Sequence, residues 1–575
     1  MRRAALRLPG RIVLLMGLLW GVSSYAHATD LELQVRGVKG ALAENVTAYL
    51  SSLEPVELAR WAGLQPQLEK KSRQAMEALG YFHAKIDLSH TDRQYFVTVA
   101  KGAPVRVSKV QITLEGEAKQ DSAFEKYLAN LPVKVGDILD QGKYRTIKNK
   151  LVALASNRGY PDAQFSKAQL IVNPQSNQAQ LLLTFDSGVR YQFGEIRLDS
   201  PYDKLPFMQQ LITIRSGEPY LASKLSNLGA ELSRTQYFQR TEVVPLWGKA
   251  KGRRVPIQIH LTPKSANTVA VGAGYSTDEG PRMKLEWKKP WVNDYGHSFS
   301  SAMSVSAPKQ KLSFDYQIPD GNPLNRFYSL QSGYQHLDQN DTFSSKFTVA
   351  VNHQNRQERG WSRNLFVRLD REIYTQGEDT GDSLLVIPGV TYSRTRLRGG
   401  MDPYWGDRMR LTVEAAPPGW GANVWLTKVY GETKWLRRLG EKNYFITRLE
   451  QGAIFVDDPS EVPASMRFFA GGDQSVRGFS YNSISPTDST GQLSGARYLT
   501  TASLEYQYQF APKWRVALFA DTGTATNDYE EPFKVGVGPG LRWMTPVGPI
   551  SIDLAFGVSE TEVPVRIHFS MGPEL

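Results

Sequence analysis

The 575-residue chain carries 68 Lys and Arg against 57 Asp and Glu, a formal net charge of +11, with 41% hydrophobic residues and a mean hydropathy of −0.38. That length implies several domains, and that polarity excludes a helical membrane protein. The absence of cysteine excludes a small disulfide scaffold and any Cys-based metal site. The 26 Tyr and 12 Trp suit aromatic girdles at a membrane interface.

The first predicted element is a targeting segment. Arg2, Arg3, Arg7 and Arg11 precede an apolar run from Ile12 to Val22 that is too short to span a bilayer. Ala26-His27-Ala28 then offers a small-x-small cleavage site. Residues 1–28 therefore read as a secretory signal peptide rather than a membrane anchor. Its removal takes away four arginines and no acid, lowering the charge from +11 to +7. An exported chain with that modest surplus is not expected to meet nucleic acid; the charge reads as distributed over surface and lumen.

Residues 29–264 repeat with a period of roughly 75–85 residues, each unit reading strand, helix, helix, strand, strand. The first unit, 29–103, has a predicted strand from Leu31 to Arg36, helices over Ala41–Leu53 and Gln67–Leu79, and strands at Lys85–Leu88 and Tyr95–Ala100. The second, 104–187, opens at Val105-Arg106-Val107 and ends its long helix at Gly159-Tyr160-Pro161, as Gly80-Tyr81 ends the one before. The third, 188–264, opens at Val189-Arg190-Tyr191, with a long helix over Ser223–Arg234. Gly136-Asp137 and Gly217-Glu218 sit at like positions between the two helices of their units. Such units expose sheet edges that can pair with an extended peptide; the bland alternative is a passive spacer.

From 265 to 575 the helical period disappears. Segments of about 8–12 residues alternate apolar and polar, separated by Gly, Asn, Asp and Pro. Leu504, Tyr506, Tyr508 and Phe510 share one face of a predicted strand, opposite Glu505. Ile550, Ile552 and Leu554 oppose Ser551 and Asp553; Val565, Ile567 and Phe569 oppose Arg566 and His568. Apolar-out and polar-in is the pattern of an outer-membrane barrel, and about 19 residues per strand and connection predicts about 16 antiparallel strands. A soluble sandwich would need the reverse polarity. The fold class is thus α+β repeats followed by an all-β transmembrane barrel.

One loop stands out. Arg467-Phe468-Phe469-Ala470-Gly471-Gly472-Asp473-Gln474-Ser475-Val476-Arg477-Gly478-Phe479 precedes two strands that each carry one carboxylate on the polar face, Glu505 and Asp521. An arginine at a loop tip and two inward carboxylates suggest a clasp inside the barrel. The alternative is an ordinary charged loop with carboxylates facing lumenal water. The barrel closes where its first strand, Thr268–Tyr275 with Val269, Val271, Gly272, Gly274 and Tyr275, meets its last, Val565–Ser570 with Ile567 and Phe569, followed by Gly572 and Pro573. Interior glycines weaken a strand and proline lacks a ladder donor, so this seam reads as one that can open; the alternative is that Gly and Pro merely end the strands. A crossing point near Val271 and Phe569 is the expected register.

Three small repeats feeding a barrel, with Val476-Arg477-Gly478-Phe479, resemble the superfamily of outer-membrane protein assembly factors and two-partner secretion transporters. The repeats resemble POTRA domains. The blocks Gly274-Tyr275-Ser276-Thr277-Asp278, Lys288-Lys289-Pro290-Trp291, Trp405-Gly406-Asp407, Pro546-Val547-Gly548-Pro549-Ile550 and Gly572-Pro573-Glu574-Leu575 are similar to the TamA branch, the outer-membrane subunits of translocation and assembly modules. The resemblance implies that the loop folds into the lumen, where Arg477, Gly478 and Phe479 meet the wall and Arg477 pairs with Glu505 and Asp521. It also implies a lateral gate between first and last strands, and as partners an inner-membrane-anchored TamB, unfolded outer-membrane clients such as autotransporters, and the bilayer itself.

The function this implies is a non-enzymatic assembly factor, requiring no cofactor and no metal, with its repeats in the periplasm. The competing reading is a two-partner exporter threading a substrate through the lumen, though three repeats and no room for a plug helix before Leu31 fit it less well. A plain porin has no need of the arm. No Gly-x-Ser-x-Gly, His-Glu-x-x-His or Gly-Lys-Ser/Thr motif points to an enzyme.

Overall fold

The computed structural model describes residues 32–571 apart from 54–60, 92–93, 200–201, 358–359, 401, 421–424, 459–460, 531 and 546–547. The expected signal peptide, Leu31, Pro546, Val547 and the terminal residues from Gly572 and Pro573 on lie outside the described residues.

Three units of one design come first. The first is β1 (Glu32–Arg36), α1 (Ala41–Leu50), α2 (Trp61–Ala78), β2 (Lys85–His90) and β3 (Gln94–Ala100). The second is β4 (Arg106–Glu115), α3 (Ser122–Leu128), α4 (Gln141–Arg158), β5 (Gln164–Asn173) and β6 (Gln178–Asp186). The third is β7 (Gln192–Leu198), α5 (Pro206–Leu211), α6 (Ala222–Arg234), β8 (Phe238–Pro245) and β9 (Arg254–Pro263). Each sheet places its last strand in the middle, parallel to the first strand and antiparallel to the second.

The helices are capped and faced as their sequences dictate. The Asp140 carboxylate accepts from the Gly142 and Lys143 N–H groups at the start of α4, covering donors the helix cannot satisfy itself. Ile147, Leu151 and Ala155 recur every four residues and are buried against the sheet. Gly159, at φ +84°, ends the helix in the left-handed region.

Backbone hydrogen bonds set the repeat register. Gly80 C=O accepts from Val105 N–H, and Gly159 C=O accepts from Tyr191 N–H, both at 2.7 Å. Val107 exchanges hydrogen bonds with Gly136 and Asp137, as Phe193 does with Gly217 and Glu218. Gly136-Asp137 and Gly217-Glu218 are therefore equivalent, as expected. The equivalent of Val105-Arg106-Val107 is Tyr191-Gln192-Phe193, two residues beyond the expected Val189-Arg190-Tyr191. The shared Val-Arg dipeptide misled because the backbone register, not the side-chain identity, defines the unit.

The chain forms two compact bodies. One runs through Tyr191 and includes Pro219–Ala222; the other holds Gln192–Glu218 and everything from Ser223 on. In the second body the third unit packs on the barrel. Tyr237, Phe207, Phe238 and Tyr202 surround Trp291 with ring centroids 5.6–6.5 Å from it. The Tyr237 hydroxyl donates to Gly296 C=O at 2.7 Å. Burial pushes that phenol well above its ordinary pKa.

The barrel is one 16-stranded sheet with every neighbour antiparallel and consecutive in sequence. Its strands are β10 (Thr268–Ser276), β11 (Gly280–Lys289), β12 (Ser298–Ser306), β13 (Lys309–Pro319), β14 (Arg326–Gln339), β15 (Thr342–Arg356), β16 (Trp361–Gln376) and β17 (Asp379–Arg398). They continue as β18 (Trp405–Ala416), β19 (Leu426–Leu439), β20 (Asn443–Val456), β21 (Tyr498–Ala511), β22 (Trp514–Thr526), β23 (Lys534–Thr545), β24 (Gly548–Gly557) and β25 (Val565–Met571). Alternation decides the faces: Leu504, Val516, Leu518 and Ile567 are exposed outward, whereas Glu505, Asp521 and Asp553 are buried inward. Lengths are uneven: β17 has 20 residues, β10 has 9 and β25 has 7.

Candidate functional site

The segment between Val456 and Tyr498 folds into the lumen rather than over the rim. Phe468, Ala470, Val476, Phe479 and Ile484 of this segment form a buried cluster with inward residues of the wall, among them Ile387 and Ile454. Arg467 ties its start to Asp379 at 2.7 Å, and Ser465 Oγ and N–H both bond Glu372. The loop is thus anchored on β16 and β17 before it crosses to β21–β25.

At its far end stands Arg477, 2% exposed. Its Nε and Nη2 donate to the two oxygens of Asp521 at 2.7 and 2.9 Å. Its Nη1 donates to Glu505 at 2.7 Å and to Asp553 at 3.1 Å. The guanidinium also lies 3.5 Å over the Phe519 ring. Arg542 grips the same Glu505 (2.8 Å) and Asp553 (2.6 Å) from the wall. Arg448 stands 4.0 Å from Asp521. Three arginines thus face three carboxylates, and charge closes within the network. Such closure is what makes buried ions tolerable, since an unpaired one carries a large desolvation penalty.

Backbone approach explains the glycines of the site. Gly478 has φ +96°, and a Cβ there would meet the Gly557 nitrogen at 2.9 Å. Gly536 opposes the loop from β23, where a Cβ would lie 1.7 Å from the Arg477 carbonyl oxygen. Phe479 is buried, and its ring end comes close to Gly557.

The same loop touches both edges of the barrel seam. Asp473 Oδ1 accepts from the Thr277 hydroxyl (2.9 Å), and its N–H donates to Asp278 (2.9 Å), on the hairpin after β10. His568 of β25 bonds Asp473 through Nδ1 at 2.6 Å, and its Nε2 accepts the Gly478 N–H at 3.1 Å. That second bond assigns the proton to Nδ1. His568, Asp473 and Asp278 lie close enough to hold a cation, but Nδ1, the ring nitrogen beside the carboxylates, carries the proton that Nε2 gives up by accepting from Gly478.

No strand pairing joins β10 to β25 among the described residues. The contact is made by Thr277 N–H to Phe569 C=O (3.2 Å), Phe569 N–H to the Thr277 hydroxyl (3.3 Å) and the Tyr275 ring against Phe569 (5.7 Å). Phe569 therefore sits by Thr277, six residues from the expected Val271. The last strand is displaced toward the β10–β11 hairpin, because the loop holds His568 there. Val269, Val271, Tyr275 and Ile567 face outward, Val271 at 73% exposure. Gly272 and Gly274 are not demanded by crowding, since an added Cβ meets nothing nearer than 3.8 Å.

Sequence reasoning placed Glu505 and Asp521 on the inward face and named Arg477, and the structure brings these three together. It left Asp553 and Arg542 out of the clasp, although alternation puts both on inward faces. Thr277 and Asp473 carried no local signal, because their partners are about 200 residues away or more.

Comparison with known proteins follows this geometry. Residues 264–574 match the Omp85 superfamily domain, residues 32–100 the first POTRA domain of TamA, and residues 105–188 a POTRA domain described as a surface antigen variable number repeat. The outer membrane protein assembly factor BamA of Nitratidesulfovibrio vulgaris is 25% identical over 390 residues, covering 62% of this chain and 48% of that protein. The match thus spans about half the length of that relative. BamA of Neisseria meningitidis serogroup B is 21% identical over 593 residues, covering 88% of this chain and 73% of that protein. In fold, the crystal structure of Haemophilus ducreyi BamA lacking POTRA domains 1–3 is similar with a TM-score of 0.67 at 18% identity, covering 81% of this chain and 99% of that one. The chain belongs to the Omp85 superfamily, as an outer-membrane β-barrel with N-terminal POTRA domains in the periplasm.

Proposed function

We propose that this protein is an outer-membrane assembly factor that admits β-barrel clients, autotransporters among them, through the seam between β10 and β25. In this reading it is the outer-membrane subunit of a translocation and assembly module. The observation that carries the reading is the unpaired edge of β10. With Phe569 beside Thr277, antiparallel register sets Met571 beside Tyr275. Residues Thr268–Gly274 then have no partner on the seam side among the described residues. Backbone groups facing lipid without partners are costly, and a client strand adding there satisfies both chains. Client folding supplies the driving force, and the protein needs no catalytic group.

The loop fits this role as a strut. Arg477 fixes it to β21, β22 and β24, while Asp473 reaches Thr277 on one seam edge and His568 on the other. Release of the Asp473 contacts and of the Gly478–His568 bond frees both edges from the loop without dismantling the arginine network. In the three POTRA sheets β1 and β2, β4 and β5, β7 and β8 lie at the edges, β4 and β7 paired at their starts, and the remaining edge suits extended partners. An inner-membrane-anchored TamB meets the first of them.

The chain has no cysteine, so a disulfide lock is clean. Ser276→Cys with Ser570→Cys follows the observed register. Oxidation in the membrane stops assembly of an autotransporter client, and reduction restores it. Continued assembly by fully locked protein overturns the gate and moves lumenal threading of a substrate ahead.

A further inference from the structure

The outer wall of the barrel carries an arginine cluster where a lipid-facing surface is ordinarily apolar. Exposed Leu365, Val367 and Leu369 on β16, with Leu384 on β17 and Leu411 on β18, define the outward face. Cross-strand partners share a face, and the register runs Trp361–Arg394, Arg363–Tyr392, Tyr392–Leu411, Arg396–Asp407, Arg398–Trp405 and Trp405–Arg437. Arg363, Arg394, Arg396, Arg398 and Arg437 therefore project outward with those leucines. The strands alternate in direction from β10, which enters from the third POTRA unit. The start of β16, the end of β17, the start of β18 and the end of β19 accordingly lie at the periplasmic rim. Trp361, Trp405 and Trp435 share this level, the depth at which aromatic girdles meet headgroups.

Of these five arginines three contact a carboxylate among the described residues, and it is the same one. Asp407, 1% exposed, takes Arg396 on both oxygens (2.7 and 3.0 Å), with Arg394 at 3.6 Å and Arg437 at 3.9 Å. The Trp405 ring lies 4.7–5.1 Å from the guanidinium carbons of Arg396, Arg398 and Arg437, and Trp361 lies 4.6 Å from that of Arg394. These contacts hold Arg394, Arg396, Arg398 and Arg437 in place and leave most of the positive charge unmatched. The Nε atoms of Arg363 and Arg394 are buried without a hydrogen-bond partner, so oriented donors await an acceptor.

We infer that this face binds the phosphate of an anionic glycerophospholipid in the periplasmic leaflet. Guanidinium forks match phosphate oxygens in number and plane. Basic clusters at membrane-interface depth recognise such headgroups. An acyl chain would run up the exposed leucines of β16 and β17. The site, on β16–β19, lies across the barrel from the seam, with six strands between them on either side. Lipid capture there steadies the wall that does not open.

The test uses the full chain in a zwitterionic detergent, equilibrated with equal phosphatidylglycerol and phosphatidylcholine and read by native mass spectrometry. Phosphatidylglycerol is retained preferentially, and Arg363→Gln with Arg394→Gln lowers that preference about fivefold per arginine. Arg408→Gln with Arg410→Gln, on the lumenal side of β18, leaves it unchanged. If the glutamine pair fails to fold by heat-modifiable mobility, Arg363→Lys with Arg394→Lys keeps the charge and still loses preference, since the fork is gone. No preference in the unmodified protein overturns the proposal, as does an equal loss in the lumenal variant. Full displacement by excess inorganic phosphate would mark a plain anion site and overturn the lipid assignment.

Discussion

Deleting the Arg477 guanidinium leaves Asp521, Glu505 and Asp553 crowded around Arg542 and Arg448. Arg477→Ala is expected to destabilise the folded barrel by roughly 3–5 kcal/mol, the usual result of orphaning a buried charge. The temperature at which heat-modifiable mobility is lost measures it. Arg477→Lys rescues little, because one ammonium cannot hold Asp521 on both oxygens while reaching Glu505. A second prediction concerns Asp121 in the second POTRA unit, which caps α3 and accepts from Arg158 at 2.7 Å and Tyr160 at 3.1 Å. Burial pushes its carboxyl up, but the Arg158 and Ala123 hydrogen bonds and the Arg158 charge outweigh this and hold it below the ordinary value. Its stabilisation is therefore present above the unfolded value near 4 and lost as pH falls through the depressed folded one. Hydrogen exchange of Ser122–Leu128 should accelerate over that acid range, and Asp121→Asn should abolish the dependence while speeding exchange at neutral pH. Burial, with the Asp121 charge behind it, pushes the Tyr160 phenol the other way, up to about 12. At this scale the inward carboxylates were legible from alternation alone. The choice of which inward groups the loop would reach was not, because it depends on how far a 41-residue segment, 457–497, folds back.

Single elements were legible in proportion to their periodicity. The barrel strands and the long helix of each POTRA unit declare themselves by alternation and by apolar spacing over many residues. Helix α5, six residues long, does not: Pro206-Phe207-Met208 carries no repeat, and its Phe207, Met208 and Leu211 are buried only through the fold. The strand β8 spans Phe238–Pro245 because pairing with β9 extends along it from Phe238. The join between the third unit and the barrel is likewise tertiary. Gly296 has φ +77°, and a Cβ would meet Phe207 at 3.0 Å and the Tyr237 hydroxyl at 3.2 Å. Gly296→Val is expected to cost about 1–3 kcal/mol of docking through strain and clash. Faster hydrogen exchange across Pro206–Leu211, with unchanged barrel mobility on gels, is the measurable outcome. Tyr237→Phe, which removes one hydrogen bond, should shift the same readout by about 1 kcal/mol.

For the whole molecule, chain length and alternation foretold a barrel of about 16 strands behind three repeats, and the observed sheet has 16. What sequence could not convey is where the closure falls, because the loop sets it by holding His568. The uneven strand lengths bear on the surrounding bilayer. At about 3.3 Å per residue and a tilt near 40°, the 9 residues of β10 reach about 23 Å. The 20 residues of β17 reach about 50 Å on the same reckoning. Lipids beside the short strands must compress to match them, so the protein acts as a wedge on membrane thickness. Reconstitution in bilayers of increasing acyl length should therefore slow client insertion stepwise, read by protease protection of the client, while leaving the barrel folded. Thin membrane beside an open edge lowers the barrier for a polar backbone to cross, and the protein would then prepare its solvent as well as its template.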